Sequence, residues 1–531
     1  MSSDAASQLD AIRQGYAFEG PHIVLGAAVD GGEVVPDAVV RLPLGQMNRH
    51  GLVAGATGTG KTVTLQLMAE QLSAAGVPVF LADVKGDLSG LATPSPGNDK
   101  ITSRMSGLGQ EWVPTGYPVE FLSLGGHGTG VPVRATVTAF GPVLLSKVLG
   151  LNDTQESSLG LVFHYADKRG LPLLDLKDLR AVIQHLVSDE GQEDLKGLGG
   201  LSRSTAGVIL RQLITFADQG AEDFFGEPEF DAADLIRTTE DGRGVITCLE
   251  LPAVRDKPVL FSTFLMWLLA ELFQDLPEVG DPDKPKLVFF FDEAHLLFRD
   301  ASKAFLTAVE QAVRLIRSKG VGVFFVTQTP KDVPEGVLAQ LGNRVQHALR
   351  AFTPEDAKAL KATVSTYPTS GYDLAQVLTQ LGTGEAVVTV LSERGAPTPV
   401  AWTMLRAPQS LMGASEASLV EAAVASSTLR PKYAELLDRD SAYERLTARL
   451  DQPEESAAAG PTDAELERAA RDGAWPEPAK EPAPRRAEPE EESLLEKVVE
   501  SPAFRSMLRS AGTVIGREIT RSIFGTAKRR R

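Results

Sequence analysis

A single cysteine, Cys248, stands in 531 residues. One thiol excludes an internal disulfide and any cysteine-rich zinc site. Aromatic residues make up only 6% of the chain, with 4 Trp and 7 Tyr. Positive charge is also short: 53 Lys and Arg face 70 Asp and Glu, a net of −17. That balance excludes a protein coated in basic surface, though not a local basic channel. Long apolar runs are missing too. The best membrane candidate, Val259 to Phe273, carries Ser262, Thr263 and Glu271 and is too short to span. Met1 to Ser7 holds neither a basic region nor an apolar run, so no targeting segment is expected. The expectation is a soluble, cytoplasmic protein.

The hydrophobic fraction is nonetheless 43%, enough for a large core. Residues 1–41 read as a short β-rich segment. From Leu42 short apolar strands alternate with helical patterns. His50–Ala54, Val77–Asp83 and Val119–Leu124 read as strands, and Thr62–Ala75 as a helix. Strands return at Gly244–Leu249, Leu287–Asp292, Val321–Val326 and Arg344–Leu349. This alternation predicts an α/β fold with a mainly parallel central sheet covered on both faces. The core would run over 42–136 and 244–407. Residues 137–243 between its halves are helix-patterned throughout and read as an all-α insertion. The core is expected to end near Pro408. A helical extension (408–451), a disordered Pro/Ala/Glu-rich linker (452–492) and a basic amphipathic tail (493–531) then follow. The last 29 residues hold eight Lys or Arg against one Glu, a net of +7 that leaves −24 for the rest.

The chemistry is concentrated in two stretches. Gly55-Ala56-Thr57-Gly58-Thr59-Gly60-Lys61-Thr62 fits G-x-x-x-x-G-K-[ST] between a strand and a helix. Its glycines let backbone N–H groups close on phosphate, and the helix start adds positive potential. Lys61 would reach the β- and γ-phosphates of ATP, and the Thr62 hydroxyl would bind Mg²⁺. The second stretch is the apolar run 287–291, which delivers Asp292 and Glu293 to a strand end. Asp292 would hold the Mg²⁺ shell and Glu293 would act as general base. The roughly 230 residues between the two stretches point to the P-loop branch with an added central strand. Asp292-Glu293-Ala294-His295 also spells a helicase box, but its companion motifs are missing; His295 reads as the first turn of the next helix.

Other candidates follow from position. Gln328, at the tip of the strand beside Asp292, is placed to sense the γ-phosphate or orient water. Arg317 is either a finger for a neighbouring subunit or a solvated or salt-bridged residue. Arg344 is a second finger candidate. Asp83, followed by Lys85 and Asp87 at the sheet's C-terminal edge, either joins the catalytic cluster or caps a turn.

Residues 48–62, 81–90, 224–228, 290–298, 314–323 and 340–350 resemble the YjgR family of bacterial HerA-like ATPases. The signatures include Leu81-Ala82-Asp83-Val84-Lys85-Gly86-Asp87 and Gly342-Asn343-Arg344-Val345-Gln346-His347. Together they cover about residues 20–410. The resemblance to the HerA and FtsK clan implies a RecA-like P-loop NTPase fold of the ASCE type, ATP with Mg²⁺, and a homo-hexameric ring acting on DNA. It maps clan motifs onto Lys61, Thr62, Asp292, Glu293 and Gln328, and the interface arginine onto Arg317. Only 54 residues precede Gly55, few for the β-barrel of HerA proper, which argues against a HerA-type nuclease partner. The membrane spans and winged helix of FtsK are likewise not visible. The helical insertion is a candidate source of pore loops. The basic tail admits three readings: a helix docked on the ring, a nucleic-acid contact or a membrane-surface contact. The alternative to a DNA motor is a DNA-independent ATPase that remodels a protein or acts at a membrane surface.

Overall fold

The computed structural model describes residues 3–195, 199–299, 301 and 303–450. The linker 452–492 and the tail 493–531 lie outside these residues. The chain divides into two units, Met1–Ala442 and Tyr443–Arg531. In the second unit, the described residues are helical as far as Leu450.

The first unit is built on one twelve-stranded sheet. Its strands are β1 His22–Asp30, β2 Glu33–Pro43, β3 Gly51–Ala54, β4 Val79–Asp83, β5 Val119–Leu124, β6 Val131–Val133, β7 Ile246–Glu250, β8 Leu287–Phe291, β9 Val321–Thr327, β10 Asn343–Gln346, β11 Glu385–Thr389 and β12 Ala401–Leu405. Their order is β2-β1-β12-β11-β10-β3-β9-β8-β4-β7-β5-β6. From β10 to β6 every pair is parallel. From β2 to β10 every pair is antiparallel. The fold is thus α/β with a mostly parallel open sheet, and β9 is the strand inserted between β3 and β8.

The sequence of β8 explains its central place. All five of its residues are buried, so both faces need cover. Phe290 turns to one face and meets Phe324 at 5.3 Å. Phe289 and Phe291 turn to the other and meet Phe80 and Phe325 at 4.8 and 5.5 Å. Each buried ring contributes roughly 1.5–3 kcal/mol by area.

The N-terminal segment is β-rich only from His22 onward. Residues 3–15 form a helix, α1 (Ser3–Gly15), rather than strand. Leu9, Ile12 and Tyr16 recur at helical spacing and are buried in the main core. The two strands after it are long, and β2 runs past residue 41.

Helix α2 (Lys61–Ala74) follows the glycine-rich loop, and α3 (Asp99–Leu108) follows β4. Between β6 and β7 lie α4 Val137–Val148, α5 Asp153–Lys168, α6 Leu176–Leu186, α7 Asp189–Asp194 and α8 Arg203–Asp218. Side chains cap α4 to α8 at Thr136, Asn152, Asp175, Ser188 and Ser202. Helix α9 (Pro258–Asp275) contains the membrane candidate, and eleven of its residues are buried in the protein. No helix among the described residues is long and apolar enough to cross a membrane.

The core does not end at Pro408. Helix α2 buries polar groups as well as apolar ones, and they grip the chain beyond that proline. The buried Glu70 carboxylate accepts from Gln409 N and Ser410 N, each at 2.8 Å. Gln66 Nε2 donates to Leu411 O at 2.9 Å. Val420 and Tyr433 are buried further on. Propensity and apolar pattern do not show such a strap, because side-chain-to-backbone hydrogen bonds hold it.

Candidate active site

The carboxyl ends of the parallel strands β3, β9, β8 and β4 share one edge of the sheet. The glycine-rich loop leaves β3 and is tethered on both sides: Gly55 N donates to Thr327 O at 3.2 Å and Ala56 N to Ala348 O at 2.8 Å. A Cβ on Gly55 would stand 2.4 Å from His347 Cβ, so only glycine fits there. Gly60 takes φ 112 just before α2, a conformation that side chains resist. Within the loop, Thr59 Oγ1 and Lys61 Nζ donate to Ala56 O at 2.7 and 3.3 Å. The first N–H groups of α2 have no partner within the helix.

His347 lies under the loop; the sequence reading quoted it in a signature but gave it no role. Its Nε2 meets Thr64 Oγ1 at 2.9 Å and its Nδ1 meets Glu385 O at 3.0 Å. Burial lowers its pKa to about 4, so it supports the loop as a neutral ring. Its signals in the sequence are its place in the Gly342–His347 signature and directly after a buried strand.

Asp292 and Glu293 follow β8. Asp292 is almost fully buried, and burial raises its carboxyl to about 7. Its Oδ1 accepts from Glu293 N at 2.9 Å. Its Oδ2 is buried without a hydrogen-bond partner. Glu293 has a left-handed backbone, φ 47, an uncommon conformation for a residue with a Cβ. Burial works to raise its pKa, but hydrogen bond and charge from Lys85 outweigh it and hold it below the usual carboxylate value.

Lys85, which the sequence reading placed at this edge without a role, meets both carboxylates. Its Nζ is 2.5 Å from Glu293 Oε1 and 4.0 Å from Asp292 Oδ2. Asp83 shapes its loop: Oδ1 accepts from Lys85 N and Gly86 N, and Oδ2 from Leu88 N, at 2.7 to 3.0 Å. Both Asp83 oxygens are therefore engaged in the turn. Burial pushes the Lys61 ammonium below its usual value while Glu293 and Asp292 pull it back up. Lys61, Asp292, Glu293 and Lys85 thus share one field.

Gln328 is exposed at the end of β9, between the strands that carry the loop and the carboxylates. The loop after it is fixed by Asp332, whose Oδ2 accepts from Thr327 Oγ1 at 2.8 Å and Thr329 N at 2.9 Å.

The two arginines are not brought to this edge within the chain. Arg317 begins a 3-10 turn ahead of β9, at the opposite edge, and lies 3.6 Å from Asp281. Arg344 is the second residue of β10 and donates to Thr366 Oγ1 at 2.7 Å.

The residues present fit a divalent ion. The orphaned Asp292 Oδ2 is an acceptor held out of water, and Thr62 supplies a hydroxyl in the first turn of α2.

The family model described as helicase HerA-like C-terminal matches residues 31–531. The DNA double-strand break repair helicase HerA of Sulfurisphaera tokodaii is 22% identical over 356 residues, covering 66% of this chain and 64% of that protein. The HerA of Sulfolobus acidocaldarius is 20% identical, with the same two coverages. The chain therefore spans just under two thirds of the length of these relatives. A probable helicase of Methanocaldococcus jannaschii is 31% identical over 153 residues, 27% of this chain and 28% of that protein. Among solved structures, the bacterial conjugative coupling protein TrwB in an unbound form shares 16% identity, over 77% of this chain and 95% of that one, with a TM-score of 0.49.

Proposed function

Because the chain belongs to the helicase HerA-like C-terminal family of P-loop ATPases, we propose that it hydrolyses Mg-ATP as a homo-hexameric ring motor acting on DNA. The carrying observation is the convergence, at one sheet edge, of a tethered phosphate loop with a buried Asp292 and a strained Glu293. The relatives' names point the same way: they are DNA repair helicases.

The roles follow from the positions. The loop N–H groups and the start of α2 cradle the phosphates. Lys61 draws charge off the β- and γ-oxygens. Thr62 and Asp292 hold Mg²⁺, which supplies positive charge to the phosphates. Glu293 takes the proton of the attacking water, a task worth roughly 10²–10⁴-fold in rate. Gln328 orients that water. Asp83 keeps the neighbouring loop in shape. Arg317 is proposed to reach a neighbouring subunit's site, with Arg344 as second candidate. Both lie away from the chain's own site, as a trans role requires.

Phosphate release by the purified protein tests this, with and without duplex DNA, for wild type and Glu293→Gln. DNA-stimulated release that the substitution abolishes is the expected result. Release indifferent to DNA would favour an ATPase acting on a protein partner or a membrane surface, the reading that the basic tail motivates. No release under any condition would sink both. Light scattering with ATP tests the ring; a strict monomer would remove the trans arginines.

A further inference from the structure

Lys85 has no part in the scheme above, yet it holds the residue on which that scheme depends. Its backbone is pinned, because Asp83 takes up the N–H groups of Lys85, Gly86 and Leu88. Its side chain is 43% exposed and has room to swing. The partner's backbone is pinned as well: Glu293 is left-handed and donates its N–H to Asp292 Oδ1. Two fixed main chains therefore aim one mobile ammonium at one carboxylate, 2.5 Å apart.

That contact has a chemical consequence. A carboxylate oxygen bonded to an ammonium is a poor acceptor for a water proton. Glu293 is engaged in this way at Oε1, while Oε2 is buried and makes no hydrogen bond, its near neighbour being His295 Nδ1 at 3.3 Å. Lys61 opens α2 at the same sheet edge, and its ammonium feels the charge of both Lys85 and Glu293. A triphosphate seated against Lys61 would bring its terminal phosphate, with more negative charge than one carboxylate, into the reach of Lys85. A diphosphate would not.

Resting on the ATPase reading above, we propose that Lys85 is a positioning residue that senses the γ-phosphate. It clasps Glu293 when the site is empty, and the terminal phosphate of a nucleoside triphosphate draws it away and frees the base. Only hydrogen bonds are exchanged; no covalent bond changes.

Binding, rather than turnover, tests this. Affinities for a non-hydrolysable ATP analogue and for ADP, both with Mg²⁺, are measured for wild type, Lys85→Met, Glu293→Gln and the double variant. In the presence of Lys85, Glu293→Gln removes the cost of opening the clasp. It should therefore tighten analogue binding about five-fold more with Lys85 than with Met at that position, as expected for a half-exposed charge pair. ADP should show no such difference, and Lys85→Arg should keep the coupling. A merely structural role of Lys85 would move both nucleotides together. Equal effects of Glu293→Gln in the two backgrounds, or equal coupling for ADP and analogue, overturn the proposal. Wild type that binds and hydrolyses ATP but shows no coupling sinks the clasp alone. Wild type that binds neither nucleotide sinks the ATPase reading and the clasp with it.

Discussion

His50 and Glu293 are the two non-glycine residues with positive φ among the described residues, 59 and 47, and they sit at opposite edges of the sheet. His50 stands at the start of β3 and ties three strands. Its Nδ1 accepts from Val323 N at 3.1 Å, and its carbonyl accepts from Asn343 N and Nδ2 at 3.1 and 2.9 Å. Glu293 stands at the end of β8 and ties no strands. Instead its carboxylate meets Lys85 Nζ at Oε1 and lies 3.3 Å from His295 Nδ1 at Oε2. Buried polar atoms that make no hydrogen bond occur at both edges. Near His50 they belong to Asn48, Arg49 and His50 itself; near Glu293 they include carboxylate oxygens of Asp87, Asp292 and Glu293. Charges at the first edge pair in the open, Arg49 and Arg317 with Asp281. Similar strain thus serves a joint at one edge and leaves anionic acceptors facing a ligand site at the other.

Substitutions can break that contrast. The largest effect is expected from Glu293→Gln, which should slow phosphate release by roughly 100-fold or more while the melting temperature holds. A melting loss instead would make Glu293 a structural residue like His50. His50→Ala should do the reverse. It leaves the Val323 N–H unpaired and puts Ala in a strained conformation, a loss of about 3 kcal/mol in unfolding by denaturant. Turnover per folded molecule should be kept.

Asp292→Asn separates the edges by pH. The folded-state carboxyl lies near 7, above the unfolded value of about 3.9. Its contribution to stability is therefore fully present below pH about 4 and is lost as pH rises through 7. The Asn variant should match wild type near pH 4 and be more stable at pH 8, by about 1–3 kcal/mol. Added Mg²⁺ should narrow that gap, since only wild type keeps the anion. A gap independent of pH would remove buried charge from the account of this edge. The smallest effect belongs to Arg317→Ala. Its pair with Asp281 is exposed, so unfolding free energy should change by under about 0.5 kcal/mol.

Much of the phosphate edge was legible because its signals are local. Glycines, a lysine and a threonine in one loop, and two carboxylates after an apolar strand, need only the strand and helix around them. Seven of the eight strands between 50 and 349 were legible for a similar reason, since buried parallel strands read as apolar runs; the three-residue β6 was not. The antiparallel strands β11 and β12 were not, and neither was α1. The strap at 409–411 was missed because buried Glu70 and Gln66 hold it, not an apolar pattern. Asp83 reads two ways in the sequence, and the three N–H groups it accepts show the turn.

The amino-acid sequence by itself determined the phosphate loop and the carboxylate pair, because each is set by neighbours a few residues apart. Which lysine meets Glu293, and which arginines stand away from it, only the tertiary structure decided. Lys85 and Glu293 are more than 200 residues apart in the sequence. The parallel register of β4 on β8, with Ala82 beside Phe291, brings the two strand ends level. The same chain direction carries Arg317, which precedes its strand, to the far edge.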